Sequence, residues 1–206
     1  MNESALVALP RVFFEPSASV VGPELLGHWL VRRTRHGLCG GPIVETEAYL
    51  WNDPACHAAA GMRPRNRVMF GPPGHAYVYF IYGAHYCVNA VCRPAGTGEA
   101  VLIRAVEAEW GQVILKRNRR ARSVRELTNG PAKLCQAMGI DRKLDGADLC
   151  DAGSPLFVAQ NPEIDQFRVG RGQTVTTTRI GITKAADLPL RFYLEQSPFV
   201  SGLRRG

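Results

Sequence analysis

The stretch "YVYFIYGAHYCVN", residues 77–89, predicts two antiparallel strands joined by a tight turn at Gly83-Ala84. Aromatic residues crowd into its first half, although they make up only 8% of the whole chain. Because successive side chains of a strand point to opposite faces, Tyr77 and Tyr79 share one face and Phe80 lies on the other. Both faces are rich in apolar and aromatic side chains, unlike the alternating pattern of a half-buried strand.

Two interpretations account for the aromatic strand. A strand buried on both faces is the simpler one, and we apply it to Tyr77, Val78 and Phe80. Tyr82 fits a core less well, because it directly precedes the turn. At the end of a rigid hairpin, one aromatic side chain can act as a wedge in a nucleic-acid stack, while its neighbours stack on an extruded base.

The composition is that of a globular protein, and its charge suggests a polyanionic partner. The 206 residues are 46% hydrophobic and 21% charged, which suits one domain with a proper core. A net charge of +7 and a pI near 9.3 favour a partner such as nucleic acid. A GC-rich genome would enrich arginine equally, so charge alone does not decide this. Basic residues cluster in "RRTR" at 32–35, "RPRNR" at 63–67 and "KRNRRARSVR" at 116–125.

The start of the chain, its hydropathy and its cysteines favour a cytoplasmic protein. The start "MNESALVALPRVFF" is acidic and interrupted by proline, unlike a signal peptide. No apolar run approaches the roughly 20 residues that a membrane span needs. The six cysteines form no C-x-x-C pair, so we expect reduced thiols in the core rather than a zinc or iron–sulfur site.

The pattern along the chain predicts a mixed α+β single domain over 1–206 in which antiparallel strands dominate. The expected elements are a helix over 17–27, strands over 28–34 and 40–50, a long ordered loop over 52–75, strands over 76–82, 85–93 and 99–107, an amphipathic helix over 110–121, a helix that Thr128 or Asn129 caps and Gly139 ends, and short strand-like runs over 155–196. A Gly-rich phosphate loop is missing, which argues against nucleoside-triphosphate and dinucleotide enzymes.

The segment "VETEAYL" carries the candidate catalytic carboxylates. In a strand, Glu45, Glu47 and Tyr49 lie on one face, which either meets solvent or lines a pocket. The aromatic hairpin would give such carboxylates an apolar wall, and an apolar wall can tune a carboxylate toward general-base catalysis. The spacing alone does not distinguish Glu45 from Glu47.

Other catalytic chemistries fit the same region poorly. Cys56 and His57 follow Asp53 in the next loop, but adjacent residues rarely reach one metal ion together. A sharp-turn serine motif is missing. No lysine occurs between Met1 and Arg104, which excludes a Schiff base through this region unless the N-terminal amine serves. Water activated by a carboxylate remains as the natural nucleophile.

Asn89 is a polar residue among apolar neighbours. With the turn at Gly83-Ala84, the returning strand brings Asn89 close to Tyr77 and Tyr79. A polar side chain in such surroundings needs a hydrogen-bond partner or a function. On the residues alone, a strand asparagine that bonds to nearby backbone is the simpler interpretation.

Several blocks together strongly resemble the alkyladenine (methylpurine) DNA glycosylase family. These blocks are "IVETEAYL", "RNRVMFGPPGHAYVYFIYGAHYCVN", "AVLIRAVE", "NGPAKLCQAMGI" and "PLRFY", in the family's order between about Gly22 and Ser201. The resemblance implies a compact single domain, a curved antiparallel β-sheet with surrounding helices, and a protruding β-hairpin that enters the DNA minor groove. It also implies a monofunctional enzyme of base excision repair that flips alkylated purines, such as 3-methyladenine, from duplex DNA and hydrolyses the N-glycosidic bond without a metal or other cofactor.

The resemblance also assigns catalytic roles. Glu47 matches the general base that activates the attacking water, and Arg104 matches the residue that positions this water. Glu45 inherits no catalytic role.

The remaining matches concern base recognition. Tyr49, His57 and Tyr79 match the walls that contact the flipped base. Asn89 matches the residue facing the minor-groove edge of that base. Tyr82 matches the side chain that is inserted into the duplex at the vacated position.

The partner implied by the resemblance is double-stranded DNA with damaged purines, bound by a monomer in the bacterial cytoplasm near the nucleoid. One departure from the family is Trp51, which stands where a glycine is usual after "EAYL". The path of the chain between Tyr49 and His57 is therefore not set by the resemblance.

Two alternatives to this enzyme are a non-catalytic nucleic-acid module of the same fold and a metal-dependent nuclease. A non-catalytic module would not need Glu47, so the presence of this residue favours the enzyme. The second would use Glu45, Glu47, Asp53 and His57 as metal ligands.

Overall fold

The computed structural model describes residues 6–202, which form a curved antiparallel sheet with helices packed around it. The strands are β1 (Trp29–Thr34), β2 (Gly37–Tyr49), β3 (Ala76–Ile81), β4 (His85–Cys92), β5 (Glu99–Val106), β6 (Leu156–Ala159), β7 (Thr174–Thr177) and β8 (Arg191–Leu194). Six strands lie side by side in the order β3-β4-β5-β2-β1-β6, and β8 joins β2 to β7. The predicted α+β fold is confirmed, and β3 and β4 form the predicted hairpin.

Strand β2 is the centre of the sheet, because it is long enough to pair with three other strands. Residues 37–42 pair with β1, whereas 43–49 pair with β5. Residues 45–47 also pair with β8 at the opposite edge from β5. With a partner strand on each side, Glu45 and Glu47 are fully buried.

The register between β2 and β5 shifts at Glu45. Glu45 pairs with Ala105, and the next residue, Thr46, pairs with Ile103, so Arg104 falls between two ladder pairs. An extra residue of this kind bends the strand and redirects a side chain, and bulges are frequent next to active sites. The shift places the Arg104 guanidinium within reach of carboxylates at two positions of β2.

The helices are α1 (Ala18–Glu24), α2 (Gln112–Asn118), α3 (Arg125–Thr128), α4 (Pro131–Met138) and α5 (Ile164–Val169), and 3₁₀ turns span Arg11–Phe14, Pro64–Phe70 and Arg142–Leu144. The predicted cap of α4 is wrong, because Gly130 is its N-cap. Thr128 instead donates its hydroxyl to the Val106 carbonyl (2.6 Å), and the Asn129 side chain accepts from Lys133 (2.9 Å).

Most predicted strands and helices are confirmed with small boundary shifts. The region 155–196 holds three short strands as expected, and also α5, which its pattern did not indicate. Tyr77 and Val78 are in the core, but the prediction for Phe80 is wrong, since its side chain is 52% exposed. Strand β3 is the edge of the sheet, and the Phe80 ring packs on Tyr86 of β4 (centroids 5.0 Å apart), which leaves half of Phe80 exposed.

The cysteines behave as small core residues. All six are free thiols, and five of them are buried. Burial raises the pKa of the Cys39 and Cys56 thiols to about 11, which keeps both protonated and unreactive at neutral pH. Within residues 6–202, no helix is long and apolar enough to cross a membrane.

The turn of the β3–β4 hairpin is strained. Tyr82 and Gly83 have φ angles of 54° and 66°, so two consecutive residues adopt the left-handed conformation, as in a type I′ turn. Glycine tolerates this conformation, whereas a bulky L-residue does not. Tyr82 is also 81% exposed, so packing does not compensate for the strain. An exposed aromatic side chain held in a costly conformation indicates a role in function rather than in stability.

We therefore expect Tyr82→Asn to stabilise the protein. Asparagine tolerates the left-handed region far better than tyrosine, and little packing is lost with an exposed ring. The free energy of unfolding should rise by about 1 kcal/mol, and the melting temperature by about 2–4 °C. Thermal unfolding followed by circular dichroism measures this.

The matched control is Tyr82→Ala, which removes the same ring but keeps a Cβ-bearing residue that disfavours positive φ. Tyr82→Ala should show a clearly smaller gain than Tyr82→Asn. Equal melting temperatures for the two variants would mean that backbone strain at position 82 does not limit stability.

Candidate active site

A cavity of about 320 Å³ opens beside the hairpin, with walls from β2 to β5, the start of α4 and the segment 180–182. Its lining is mostly aromatic and aliphatic, with a few polar side chains, as is typical of small-molecule sites. The cavity brings together six of the seven predicted site residues: Tyr49, His57, Tyr79, Tyr82, Asn89 and Arg104. The seventh, Glu47, contacts the cavity residues Tyr49, Arg104 and Ile180 from behind.

Glu47 is held by three donors. Its Oε2 lies 3.0 Å from Arg104 Nη1 and accepts the Tyr49 hydroxyl at 2.9 Å. Its Oε1 accepts the Ile180 backbone N–H at 2.8 Å. Because the side chain is fully buried, these donors replace the water that would otherwise solvate the carboxylate. The arrangement gives a carboxylate of fixed orientation directly behind the lining of an apolar cavity.

Arg104 links this carboxylate to Glu45. Its Nε donates to Glu45 Oε1 at 2.8 Å, while its Nη1 faces Glu47. Burial alone would lower the pKa of the Arg104 guanidinium, but Glu47 and Glu45 outweigh burial and raise this pKa above its usual value. Arg104 is therefore a permanent cation at the cavity floor.

Glu45 is the structural anchor of the floor. Arg191 Nε donates to its Oε1 at 2.7 Å, and Ser201 donates both its backbone N–H (2.6 Å) and its hydroxyl (2.8 Å). Neither carboxylate is itself part of the cavity lining. Their contacts separate them, since Glu47 binds the lining residues Tyr49, Arg104 and Ile180, whereas Arg104 is the one lining residue among the partners of Glu45 given above.

Tyr49 acts as a donor at the edge of the floor. Burial, the Glu47 charge and the hydrogen bond between them raise the pKa of Tyr49 far above its usual value. The phenol stays protonated at neutral pH and keeps its O–H directed at Glu47. Tyr49 therefore both lines the cavity and donates a hydrogen bond to Glu47.

Three rings form a continuous aromatic wall. Tyr77 and Tyr79 stack with ring centroids 5.4 Å apart, and His57 packs edge-on to Tyr79 at 4.4 Å. The His57 Nδ1 lies 3.0 Å from the Tyr77 hydroxyl. Burial and the charge of Arg65 lower the pKa of His57, so the ring is neutral at neutral pH. Together these rings offer flat apolar faces to a planar ligand.

The loop between Tyr49 and His57 does not disturb this wall. Trp51 is 56% exposed and does not line the cavity, so the departure from the family at this position leaves the pocket open. His57 reaches the Tyr77–Tyr79 pair from the far end of the loop.

Asn89 is fixed by the hairpin itself. It pairs with Tyr77 across the β3–β4 ladder, and its Nδ2 donates to the Tyr77 carbonyl at 3.0 Å. The predicted proximity is confirmed, and so is a backbone partner for the side chain. Asn89 also lines the cavity, so it presents a rigid polar group to whatever enters.

Sequence reasoning missed the segment 179–182. Ile180, Gly181 and Ile182 line the cavity, and the Ile180 N–H binds Glu47. A backbone donor has no residue-type signature, and this segment lies outside every helix and strand. Nothing in the residue pattern could have placed it over the pocket.

The side chains considered for a metal site have other partners. Asp53 pairs with Arg179, Cys56 donates to the Gly98 carbonyl, and His57 binds Tyr77. Among the residues that the structure describes, no group of three or more histidine, cysteine, aspartate and glutamate side chains could hold a metal ion. The alternative of a metal-dependent nuclease therefore has no ligand set in this part of the chain.

These features define a class of site: an aromatic cavity backed by a carboxylate–guanidinium pair, with a protruding aromatic side chain at the rim. The family model described as "Methylpurine-DNA glycosylase (MPG)" matches residues 12–198. The chain belongs to this family.

Relatives at high identity extend over nearly the whole chain. A candidate 3-methyladenine DNA glycosylase of Carboxydothermus hydrogenoformans is 50% identical over 193 residues, covering 94% of this chain and 98% of that protein. A second, from Methanoculleus marisnigri, is 49% identical over 95% of this chain and 99% of its own. A third, from Koribacter versatilis, is 45% identical over 97% and 95% respectively.

The anchor role of Glu45 predicts a large loss of stability for Glu45→Gln. The glutamine amide would place an NH₂ group against groups that already donate hydrogen bonds. It would also remove one negative charge that Arg104 and Arg191 share, which leaves a buried positive charge without a counter-charge. The free energy of unfolding should fall by about 3 kcal/mol. Urea denaturation measures this.

Glu15→Gln is the control, because Glu15 is exposed and should change stability by less than about 0.5 kcal/mol. A loss at Glu45 no larger than that at Glu15 would show that Glu45 does not anchor Arg104.

Proposed function

We propose that this protein is a monofunctional DNA glycosylase that removes alkylated purines such as 3-methyladenine from duplex DNA. The observation that carries the proposal is the buried Glu47–Arg104 pair directly behind an aromatic cavity, with Tyr82 protruding at the rim. The names of the relatives and the family description support the same substrate class.

Glu47 is the general base in this proposal. A water at the cavity floor gives a proton to Glu47 and forms a bond to C1′ of the sugar, while the N-glycosidic electron pair leaves with the base. Arg104 orients the carboxylate and the water. The nearby anion also stabilises the oxocarbenium-like transition state, so one carboxylate suffices for a base that already carries positive charge. None of the described residues that line the cavity is a lysine that could form a Schiff base with the sugar. We therefore expect the reaction to end at an intact abasic site.

Base recognition uses Tyr49 together with two rings of the aromatic wall. Tyr49, His57 and Tyr79 contact the faces and edges of the flipped base, and Tyr82 fills the gap in the stack. Flipping costs a few kcal/mol and costs least for weakly paired lesions, which supplies part of the selectivity.

A second groove supports a path for the DNA backbone. It has a volume of about 520 Å³ and adjoins the cavity, with which it shares lining residues of the hairpin, and Arg65 and Arg142 lie among its aromatic side chains. Guanidinium groups suit phosphate contacts, and the net charge of +7 suits a polyanion.

The test of catalysis is Glu47→Gln. The substitution removes the base but keeps its size, so release of methylated purines should fall by at least about a hundredfold. Binding to duplex DNA that holds an abasic-site analogue should persist. The measurement is chromatography of bases released from methylated duplex DNA in the presence of EDTA.

Glu99→Gln is the matched control, since Glu99 is equally buried but contacts Ser17 and the start of α1 instead of the cavity. Full excision by Glu47→Gln would refute the assignment of the base. Release of nucleotides rather than free bases, or inhibition by EDTA, would favour the nuclease alternative.

The selectivity hypothesis concerns Asn89. Guanine carries an amino group at its minor-groove edge that adenine lacks, and a rigid Asn89 would collide with it. We expect Asn89→Ala to raise excision of guanine-type bases relative to hypoxanthine, on the order of tenfold. Competition between defined duplexes measures the ratio.

Asn161→Ala is the control for this ratio. Asn161 is also buried and donates to a backbone carbonyl, that of Gly27 (3.0 Å), but lies outside the cavity. An unchanged ratio in a folded Asn89→Ala protein would assign Asn89 a structural role only.

A further inference from the structure

The segment 179–185 closes one side of the cavity without any regular secondary structure. Ile180, Gly181 and Ile182 line the pocket, and the chain turns through positive φ at Gly181 (79°) and Ala185 (46°). An irregular segment has no ladder or helix to set its position, so its side-chain anchors decide where it lies.

Arg179 is the anchor of this closing segment. Its side chain is fully buried, and its Nη1 donates to the Ala48 carbonyl (2.9 Å) and to the Asp53 carboxylate. Its Nη2 donates to the Ala185 carbonyl at 3.2 Å, at the other end of the segment. One guanidinium thus joins both ends of the segment to β2 and to the loop that follows β2.

The same guanidinium packs on Tyr49. The Arg179 Cζ lies 4.7 Å from the centroid of the Tyr49 ring, within cation–π range. Tyr49 in turn donates to Glu47 Oε2. Arg179 itself does not line the cavity, so it supports Tyr49 from outside the pocket.

Two of the three donors to Glu47 therefore lie directly beside Arg179. The Ile180 N–H belongs to the next residue, and the Tyr49 hydroxyl belongs to the ring on which Arg179 packs. The third donor, Arg104, is held separately by Glu45.

We propose that Arg179 is a positioning residue for catalysis, which orients Glu47 through the Ile180 N–H and the Tyr49 ring. The inference rests on the proposed function, because it takes Glu47 as the general base. Arg179 lies outside the cavity lining, so we assign it no direct contact with substrate or water. Its effect is on the geometry of the carboxylate, and a misplacement of about 1 Å at a catalytic group can cost about a hundredfold in rate.

The chemistry of the buried Arg179–Asp53 ion pair supports a role beyond stability. A buried ion pair is weak evidence for stability, because well-packed apolar residues often replace it at little cost. An arginine here supplies what an apolar residue cannot, namely donors to two carbonyls and one carboxylate together with a planar face for Tyr49.

The experiment compares Arg179→Met and Arg179→Lys with the parent. Excision from methylated duplex DNA is followed with enzyme in excess, so the rate reports the chemical step. Affinity for a duplex with an abasic-site analogue is measured in parallel. Both variants should lose between about tenfold and about a hundredfold in excision rate, and affinity should change by less than about threefold. Lysine keeps the charge but not the fork or the planar face, so it should not rescue the rate.

Arg171→Met is the matched control. Arg171 also pairs with a carboxylate, Glu107 (2.8 Å), and packs on an aromatic ring, Phe167 (5.2 Å), but it is outside the cavity. This variant should lower the melting temperature and leave the excision rate at 25 °C within about twofold of the parent.

Several outcomes would overturn the proposal. They are an excision rate of Arg179→Lys or Arg179→Met close to the parent, an equal loss in Arg171→Met, or a loss in affinity that matches the loss in rate. If Arg179→Met does not fold, Arg179→Lys decides the question. Release of no base by the parent would instead refute the proposed function itself.

Discussion

The contact on which the site depends is the fork of Arg104 between two buried carboxylates. Nε binds Glu45 and Nη1 binds Glu47, so one guanidinium joins an anchored group to a group at the cavity. The β-bulge makes this possible, because a regular ladder would not leave Arg104 between two pairs. Strands β2, β5 and β8 meet at this point, and Ser201, which is distant in sequence, donates its backbone N–H to Glu45 there. The residues that join these strands therefore also form the cavity floor.

The hairpin shows how much a short sequence pattern can predict. Its two strands and its turn follow from the aromatic run and from Gly83, but Tyr82 lies within the turn rather than before it, and this position leaves its side chain exposed. The pattern failed at Phe80, because apolar residues on both faces occur in a buried strand and equally in an edge strand that protrudes. Only the neighbours in the sheet distinguish the two cases, and a local pattern does not contain them.

The floor of the site was predictable only in part, because its contacts join distant parts of the chain. The strand period placed Glu45 and Glu47 on one face, and resemblance to a family selected Glu47. Neither could reveal that Ser201 and Arg191 hold Glu45, since these contacts span about 150 residues. Backbone donors such as the Ile180 N–H leave no trace in residue types at all. The types of catalytic group were thus predictable from the sequence, but the contacts between distant residues that hold them in place were not.

Charge balance around the floor explains why so many arginines are buried there. The carboxylates of Glu45, Glu47 and Asp53 face the guanidinium groups of Arg104, Arg191 and Arg179, three negative groups against three positive ones. Every member is nearly inaccessible to water, so each needs its counter-charge within the protein. The aromatic cavity thus lies beside a cluster with no net charge and a fixed internal order. Under the proposed function, a cationic base that enters the cavity would meet oriented groups rather than a diffuse negative field, and selectivity would be left to the shape of the aromatic wall and to Asn89.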